Sequence, residues 1–416
     1  MAMSNKAENR VRRWREQRWL LDTVVSQVGV EFDQARINYT AGPAGPEALA
    51  EFRMTATRCK KINDISREYA LQAERREAKA VAFEKAERWV AARESYMIAA
   101  MLWSIARWPI FELNEELEHL EKKMNECYGK YMKYAAHPIE RVEVPFGKGQ
   151  SLPAYLHLPR KPQGGEKFPC VIAVGGMDGT KENSCAMYGD KLLERGIAIF
   201  AVDGPGQGEC FARRVNVTYT SHMEAGEANY KFVSSHPAID ASKIVLRGSS
   251  MGTFFSTQAA SVLGSRIIAL SQSAVCHEPG FDTIFNHAAP SFKMRFMYMA
   301  GFEDEDAFDE WVKKLDLRPL AKDIRVPYQV IAGEDDQLSP LEHTRELLSL
   351  VKTPRQFVIY ESAVHGVYNA PSTVVGENPQ TLQADWIADR CAGKPIARSE
   401  EIFISNAGRA TVKPLA

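Results

Sequence analysis

The stretch that most constrains this chain of 416 residues is KIVLRGSSMGT, from Lys243 to Thr253. Three apolar residues precede Gly248-Ser-Ser-Met-Gly252, and a segment compatible with a helix follows at once. Strand, sharp turn and helix in that order are what a G-x-S-x-G nucleophile elbow requires, because its middle serine must be exposed at the tip of a strained turn. Glycines on both sides let the strand and the helix approach closely. The pattern therefore predicts Ser250 as a nucleophile.

A serine hydroxyl attacks a carbonyl only when a base removes its proton and an acid orients that base. His365 comes directly after a predicted strand and is the best placed of nine histidines. Three acids, Glu334, Asp335 and Asp336, follow another predicted strand. We select Asp336 because it is the farthest of the three from the strand end and has cleared the turn. The carboxyl ends of parallel strands meet at one edge of a sheet, so a Ser250, His365 and Asp336 triad is predicted there.

Two backbone N–H groups are expected to form an oxyanion hole. Met251 follows the nucleophile at the start of the predicted helix and supplies one of them. The loop Gly175-Gly-Met177 follows the first buried strand and supplies the other through Met177. The glycine-rich loop 203–208 lacks the lysine of a phosphate-binding loop, so we interpret it as a structural turn.

From about residue 138 the chain alternates short apolar runs with helical segments, which predicts an α/β fold with a mostly parallel sheet. An antiparallel hairpin, 139–144 and 152–158, is expected at its edge. Further strands are predicted at 169–174, 197–202, 243–246, 267–271, 326–332 and 356–360, and helices at 182–196, 222–235, 341–350 and 381–391. We assign residues 136–416 to a catalytic domain. Its methionine- and aromatic-rich insert, 277–320, is expected either to pack as ordinary helices or to form a lid or pocket wall.

Residues 1–135 have apolar positions at helical spacing and are predicted to form a helical cap or oligomerisation region. A stripe of aromatic and small residues within 78–107 is typical of packed antiparallel helices. The arginine-rich start, from Arg10 to Arg18, is interpreted as a solvated helix face or an oligomer contact, with a nucleic-acid or membrane arm as the alternative. A homodimer is the expected assembly.

Composition excludes several classes of partner. Lysine and arginine together number 52 against 53 acidic residues, so no overall charge favours nucleic acid or a membrane surface. Seven cysteines without a C-x-x-C pair or a Cys/His cluster at metal spacing predict reduced thiols in the cytoplasm, with no metal and no cofactor. The basic N-terminus lacks the apolar core of a secretory signal. We also expect no membrane span, since no run of about 18 apolar residues occurs.

Several of these motifs occur together in one known group of enzymes. They are Gly175 to Glu182, Asp203 to Glu209, the elbow, Gly333 to Asp336 and His365, behind a helical region with Tyr96, Ala100, Trp103, Ala106 and Pro109. Over residues 80–392 the chain resembles the α/β-hydrolases typified by 2,6-dihydroxypseudooxynicotine hydrolase, which include FrsA-like esterases and fungal polyketide-shortening hydrolases. The resemblance implies hydrolysis of a carbon-carbon bond next to a ketone. It also implies a carboxylate from the loop after the first buried strand, which is Asp178 here and one methylene shorter than the glutamate of that group.

The sequence does not decide which type of bond the enzyme breaks. The first hypothesis is a carbon-carbon bond hydrolase acting on an aryl or polyketide β-ketone, in which Ser250 or a water activated by His365 attacks the carbonyl and Asp178 helps to protonate or orient the leaving carbanion. The alternative is a carboxylesterase or thioesterase with the same triad, in which Asp178 only caps the following helix. A non-catalytic binding protein on the same scaffold is a third hypothesis.

Overall fold

The computed structural model describes residues 12–147, 149–396 and 398–415, and side chains from residue 19 onward. The arginine-rich face predicted between Arg10 and Arg18 therefore lies outside the described side chains. Among the helices of the described residues, none combines the length and the apolar character needed to cross a bilayer.

The described residues before the sheet form six α-helices, which are α1 (Arg12–Val28), α2 (Arg36–Ala41), α3 (Pro46–Ala56), α4 (Ile62–Lys85), α5 (Trp89–Ala106) and α6 (Glu115–Tyr134). Helix α5 is the centre of this region, and every residue from Ser95 to Ala106 is buried. A helix that is apolar on all sides is stable only inside a core, and α4 and α6 pack against α5. Glu87, at φ 56°, separates α4 from α5. Asn114 begins α6 by accepting a hydrogen bond from the Leu117 N–H at 2.9 Å.

Within the described residues ten strands form a single sheet, in the order β1-β2-β4-β3-β5-β6-β7-β8-β9-β10. The strands are β1 (Ile139–Phe146), β2 (Gln150–His157), β3 (Phe168–Val174), β4 (Ala198–Val202), β5 (Ile239–Ser249), β6 (Ala269–Ser273), β7 (Tyr328–Gly333), β8 (Arg355–Tyr360), β9 (Glu400–Ile404) and β10 (Ala410–Pro414). Neighbours from β4 through β3 and β5 to β9 are parallel. The hairpin β1–β2 is antiparallel and lies at one edge. The predicted α/β class with a mostly parallel sheet is confirmed.

The helices that follow or cover the strands are α7 (Gly208–Ala212), α8 (Ser221–Ser235), α9 (Met251–Leu263), α10 (Pro290–Ala300), α11 (Glu305–Val312), α12 (Leu341–Leu350), α13 (Pro371–Val375) and α14 (Pro379–Cys391). Helix α9 is the helix predicted after the elbow, and most of its residues are buried. The insert 277–320 contains α10 and α11. Phe296 of α10 stacks on Phe255 of α9 with ring centroids 6.3 Å apart, so the insert packs against the elbow helix.

The helix predicted at 182–196 is wrong. The structure has only short 3₁₀ turns there, Lys181–Asn183 and Leu193–Arg195. Asp190 stabilises the alternative backbone, because its carboxylate accepts hydrogen bonds from the N–H groups of Ala186, Leu192 and Leu193. A short acid that bonds local N–H groups competes with the helix ladder. Residues of this loop line the cavity beside Ser250 instead.

The sequence analysis also missed the hairpin formed by β9 and β10. The two strands pair antiparallel, and β9 adds to the parallel sheet beside β8. All five residues of β10 are exposed, and β9, with the sequence Glu-Glu-Ile-Phe-Ile, does not alternate between apolar and polar side chains. Burial on one face is the signal by which a strand is detected in sequence, and it is absent from β10.

The helical region and the sheet share apolar contacts. A cluster built mainly from α2 to α6 also includes Tyr155 of β2, Met187 from the loop after β3 and Phe211 of α7. A second large cluster contains the inner faces of the sheet, α9 and the insert. The seven cysteines are free and buried.

Candidate active site

Ser250 lies between β5 and α9 in a backbone conformation that few non-glycine residues adopt, with φ 55° and ψ −130°. The turn is possible because glycines stand where side chains would collide. A Cβ atom on Gly248 would lie 2.3 Å from Ser256 Oγ, and one on Gly252 would lie 2.3 Å from the Val174 carbonyl oxygen. The local sequence therefore produces the predicted elbow geometry.

Three side chains from three different loops meet at this elbow. Ser250 Oγ lies 2.9 Å from His365 Nε2, and His365 Nδ1 lies 2.9 Å from Asp336 Oδ2. The N–H groups of Leu338 and Ser339 donate to Asp336 Oδ1 at 2.9 and 3.1 Å, which fixes the carboxylate. His365 and Asp336 are buried. Such an arrangement can move a proton from the serine to the imidazole and hold the resulting imidazolium.

The two neighbouring acids do not reach the imidazole. Glu334 and Asp335 are exposed, and Glu334 accepts a hydrogen bond from the Ser362 N–H instead. Among the three acids weighed in the sequence analysis, Asp336 is thus the one that lies against His365.

The predicted oxyanion loop passes directly beside the serine. A Cβ atom on Gly176 would lie 2.9 Å from Ser250 Cβ, so only glycine allows this approach. Met251 is the first residue of α9, and its N–H is one of the initial helix donors that lack a carbonyl one turn back. Met177 lines the same cavity as Ser250. Both predicted N–H donors therefore belong to backbone segments that adjoin the nucleophile.

Gln207 holds the oxyanion loop in place, a contact that sequence reasoning missed. Its amide Nε2 donates to the carbonyl oxygens of Gly175 and Gly176 at 2.6 and 2.9 Å. Its Oε1 accepts from the Gly204 N–H at 3.1 Å, so the side chain is fully engaged. The sequence signal that could have indicated this contact is a polar residue inside the glycine-rich loop 203–208, because this loop follows β4, the strand next to β3.

Asp178 faces the cavity, but its carboxylate is occupied by cations. It forms an ion pair with Arg36 of α2 and lies 3.5 Å from Arg295 Nε of α10, while the Tyr39 hydroxyl donates to it at 3.3 Å. Burial alone would raise the pKa of Asp178, but the two arginines outweigh burial and hold the pKa below its usual value. Asp178 is therefore ionised near neutral pH and is engaged by side chains rather than by the backbone of the turn that follows it.

Arg36 connects Asp178 to the helical region. The guanidinium is buried, pairs with Asp33 at 2.9 Å and lies 3.7 Å from the ring centroid of Trp108. Since α2 lies far from Asp178 in sequence, no local pattern could have predicted this partner.

A cavity of about 530 Å³ opens beside Ser250 and His365. The helical region contributes Gln34, Asn38, Tyr39, Gly42 and Pro43 to its wall, and the loop after β3 contributes Asn183 to Leu192. Residues of the insert 277–320 are not among those that line it in the described part of the chain. Tyr188 lines the cavity and is 49% exposed, so the cavity reaches solvent.

The loop 203–208 acts as a structural turn, as interpreted from the sequence. Asp203 accepts hydrogen bonds from the Lys181 and Glu209 N–H groups at 2.8 and 3.1 Å. The buried Lys181 ammonium lies between the carboxylates of Asp203, Glu182 and Glu209. Arg141 and Arg213 also pair with Glu209, so cations from other segments contribute to balancing these carboxylates.

Among the described residues, His137, His157 and Cys185 form a group that could hold a metal ion, since their donor atoms all lie within 4.8 Å of one another. The two imidazoles are already joined by a hydrogen bond of 2.9 Å between His137 Nε2 and His157 Nδ1. That bond accounts for their approach, and burial lowers the pKa of His157 to about 3. The spacing of these residues in the sequence gave no indication of the cluster.

Comparison with known protein families identifies the family of this chain. Residues 55–305 match the family model described as esterase FrsA-like. The chain belongs to the FrsA-like esterase family. The predicted class, a hydrolase with the α/β-hydrolase fold, is confirmed.

Individual relatives extend this result. The 2,6-dihydropseudooxynicotine hydrolase of Paenarthrobacter nicotinovorans is 26% identical over 339 residues, which cover 80% of this chain and 84% of the relative. Esterase FrsA of Yersinia pestis is 32% identical over 117 residues, and this match spans only 28% of either chain. The solved 2,6-dihydroxy-pseudo-oxynicotine hydrolase superposes with a TM-score of 0.73 at 23% identity, covering 86% of this chain and 97% of that one. AbyA5 has the same fold, with a TM-score of 0.63 at 17% identity over 83% of this chain and 95% of its own.

Proposed function

We propose that the protein is a serine hydrolase that cleaves a carbon-carbon bond next to a ketone in an aryl or polyketide-like β-ketone. The observation that carries the serine mechanism is the chain of contacts from Ser250 Oγ to His365 Nε2 and from His365 Nδ1 to Asp336, at the wall of a cavity. The preference for a carbon-carbon bond rests on the pseudooxynicotine hydrolase, whose match includes most of the chain.

The reaction starts with the addition of Ser250 Oγ to the ketone carbon while His365 Nε2 accepts the hydroxyl proton. The oxygen becomes an oxyanion and accepts hydrogen bonds from the Met251 and Met177 N–H groups. When the intermediate collapses, the bond to the neighbouring carbon breaks, and its electron pair is delocalised into the second carbonyl or the aryl ring. That carbon takes the proton from His365, and water then hydrolyses the acyl-serine to a carboxylic acid.

In this mechanism His365, not Asp178, protonates the leaving carbon. The pKa of Asp178 lies below its usual value because Arg36 and Arg295 outweigh the effect of burial, so the carboxyl has no proton to give at neutral pH. We assign Asp178 a positioning role. It ties the oxyanion loop to α2 and α10 through its two arginines.

A carboxylesterase or thioesterase is the second candidate, and the same ion pairs favour it. An alkoxide or thiolate leaving group needs one proton, which His365 supplies, and no further carboxyl group is required. The family match to FrsA-like esterases supports this candidate as well.

Product analysis distinguishes the two candidates. If a carbon-carbon bond is hydrolysed, benzoylacetone yields benzoate and acetone or acetate and acetophenone, according to which carbonyl is attacked, whereas 4-nitrophenyl butyrate yields 4-nitrophenolate if an ester is cleaved. We expect products of both substrates from the wild-type protein, and a loss on the order of 10³-fold or more in Ser250→Ala for each. Ser261→Ala, on the same helix but bonded only to the Gln258 carbonyl oxygen, is the matched control.

Ester turnover with neither benzoate nor acetophenone formed from benzoylacetone would replace the first candidate by the second. If a fluorophosphonate probe left Ser250 unlabelled in folded protein, neither candidate would survive and a binding role would remain.

We also propose that the protein forms a homodimer through α1. Trp19 is 69% exposed and Leu20 is 45% exposed, which leaves an apolar surface on this helix. Light scattering after size exclusion should give twice the chain mass, and Trp19→Glu should give the mass of a single chain. A single-chain mass for the wild-type protein would contradict the dimer.

A further inference from the structure

Arg247 is a partly buried arginine that lines the cavity of Ser250 without a carboxylate partner. It lies on β5, three residues before the serine. Within the described residues its one recorded hydrogen bond is a long one, 3.4 Å, from Nη2 to the Ser184 carbonyl oxygen. A guanidinium has five N–H donors and stays charged in proteins, so most donors of Arg247 have no hydrogen-bond partner recorded among the described residues.

Two buried arginines of this chain, Arg36 and Arg107, have carboxylate partners instead. Arg36 pairs with Asp33 and Asp178, and Arg107 pairs with Glu121 at 2.8 Å. Attraction to these carboxylates outweighs burial and raises the pKa of both arginines. For Arg247 burial dominates and lowers the pKa, because no carboxylate is close enough to compensate. Arg247 is partly buried, and an anionic group that entered the cavity could pair with its charge.

Asp190 is the acid that could pair with Arg247, but its carboxylate already accepts hydrogen bonds from backbone N–H groups. Its Oδ1 accepts hydrogen bonds from the Leu192 and Leu193 N–H groups, and its Oδ2 accepts one from Ala186. Asp190 attracts the Arg247 guanidinium electrostatically, but the two groups are farther apart than the 4.0 Å of an ion pair.

The charges around the cavity leave room for one negative charge. Asp178 is neutralised by the arginines that bind it, so the remaining charged lining residues besides the triad histidine are Asp190, Lys191 and Arg247. These leave one net positive charge. A monoanion such as a carboxylate balances it, whereas a phosphate dianion would exceed it.

The chain between β3 and β4 forms no α-helix, and residues of its loop Asn183 to Leu192 line the cavity together with Arg247, Tyr368 and Gln383 of α14. Cys185 and Leu192 of the same loop are buried in a cluster with apolar residues of the sheet. A substrate bound at Ser250 can therefore extend along β5 to the guanidinium. Tyr188 and Tyr368 offer apolar surface for a ring between the two ends.

We propose that Arg247 is a specificity residue that binds a carboxylate of the substrate, so that the enzyme prefers acyl groups carrying a carboxylate away from the reacting carbonyl. This inference rests on the proposed serine hydrolase function. Bidentate pairing of the guanidinium fork with a planar carboxylate would anchor one end of the substrate while Ser250 attacks the other.

Two matched esters test the proposal, the 4-nitrophenyl esters of 4-carboxyphenylacetic acid and of neutral 4-carbamoylphenylacetic acid. For each variant the measured quantity is the ratio of kcat/KM for the carboxylate ester to that for the amide ester. We expect a ratio of about 10 to 100 in the wild-type protein, since hydrogen bonds to charged groups are worth about 1.5 to 3 kcal/mol. In Arg247→Met the ratio should fall to about 1, mainly through a higher KM for the carboxylate ester.

Arg160→Met is the matched control, because Arg160 lies on the surface in an ion pair with Glu166, and it should keep the wild-type ratio. If Arg247→Met fails to fold, Arg247→Lys keeps the charge but loses the planar fork, and its ratio should lie between 1 and the wild-type value. A wild-type ratio near 1, or an unchanged ratio in either Arg247 variant, would overturn the proposal.

A binding measurement separates this proposal from the proposed catalysis. Calorimetry with Ser250→Ala should detect binding of free 4-carboxyphenylacetate, and the double variant with Arg247→Met should bind at least about tenfold more weakly. Binding that depends on Arg247, together with no ester hydrolysis by the wild-type protein, would refute the hydrolase and retain the carboxylate site. Equal binding to both proteins would refute the carboxylate site alone.

Discussion

Ser250 occupies a backbone conformation that costs on the order of 1 to 3 kcal/mol for a residue with a side chain. Its surroundings hold it there. The Ser250 N–H donates to the Ser273 carbonyl oxygen at 3.1 Å, and the Thr253 hydroxyl donates to the Ser250 carbonyl oxygen at 2.7 Å. With its backbone bonded on both sides, the serine is presented to His365 by the rigid part of the sheet rather than by a mobile loop.

Asp178 gives a pH-dependent prediction at the same scale. Its pKa in the folded protein lies below the ordinary 3.8, so the stability that it contributes is present above that value and is lost as the pH falls through the folded pKa. At pH 7 Asp178→Asn should lower the free energy of unfolding by about 3 to 5 kcal/mol, because Arg36 and Arg295 lose their partner. Urea unfolding at pH 7, 5, 4 and 3 should show this difference shrinking below pH 4.

Asp385→Asn is the control for this series. Asp385 pairs with Arg195 at the surface, where such pairs are worth under about 1 kcal/mol, so this variant should match the wild-type protein at every pH. A difference for Asp178→Asn that stays constant down to pH 3 would contradict the assignment of the low pKa to Asp178.

At the scale of elements, the elbow depends on the close crossing of β3, β5 and α9. Gly252 lies against the Val174 and Gly175 carbonyl oxygens, where a Cβ atom would be at 2.3 and 2.5 Å. These contacts are with backbone that belongs to β3 and the oxyanion loop. The glycines of the motif thus set the distance between the nucleophile and the N–H groups predicted to stabilise the oxyanion.

Gly252→Ala tests this crossing. Relieving the overlap requires α9 to move away from β3, and we expect kcat to fall at least about tenfold and the protein to be destabilised by about 1 to 3 kcal/mol. Gly129→Ala is the matched control, because Gly129 is exposed within α6 and a Cβ atom there meets nothing within 4 Å. That change should stabilise the protein by up to about 1 kcal/mol. Unchanged activity and melting temperature in Gly252→Ala would contradict the tight crossing.

At the scale of the whole molecule, the helical region and the sheet depend on each other. Tyr155, Met187 and Phe211, which belong to the sheet side, are buried in the cluster formed by the helices. Arg36 reaches from α2 to the oxyanion loop, and Tyr39 lines the cavity. Separating the two parts would expose apolar surface on both and would open the wall of the cavity.

We therefore expect the two parts to unfold together. Thermal unfolding followed by far-ultraviolet circular dichroism and by residual ester hydrolysis should give one transition with the same midpoint. The fragment 136–416 should be insoluble or inactive, because it lacks α2 and leaves Met187 and Phe211 uncovered. Two separate transitions, or an active fragment, would refute this coupling.

The sequence by itself determined much of the fold, because the decisive signals are local. Buried parallel strands appear as short apolar runs, and glycines mark the elbow and the oxyanion loop. Ser250, His365 and Asp336 could be selected because each follows a strand, and strand ends converge at one edge of a parallel sheet. The helix at 182–196 failed because Asp190 bonds to nearby N–H groups, a choice that periodicity does not record.

Only the tertiary structure decided what surrounds the serine. The ion pair of Asp178 with Arg36 joins residues 142 positions apart, and Gln207 reaches the Gly175 carbonyl oxygen across 32 positions. Whether Arg247 has a carboxylate partner likewise depends on a loop that the sequence predicted as helix. Charge pairing and cavity shape are set by which distant segments meet, so residue type and spacing along the chain could name the nucleophile but not its substrate.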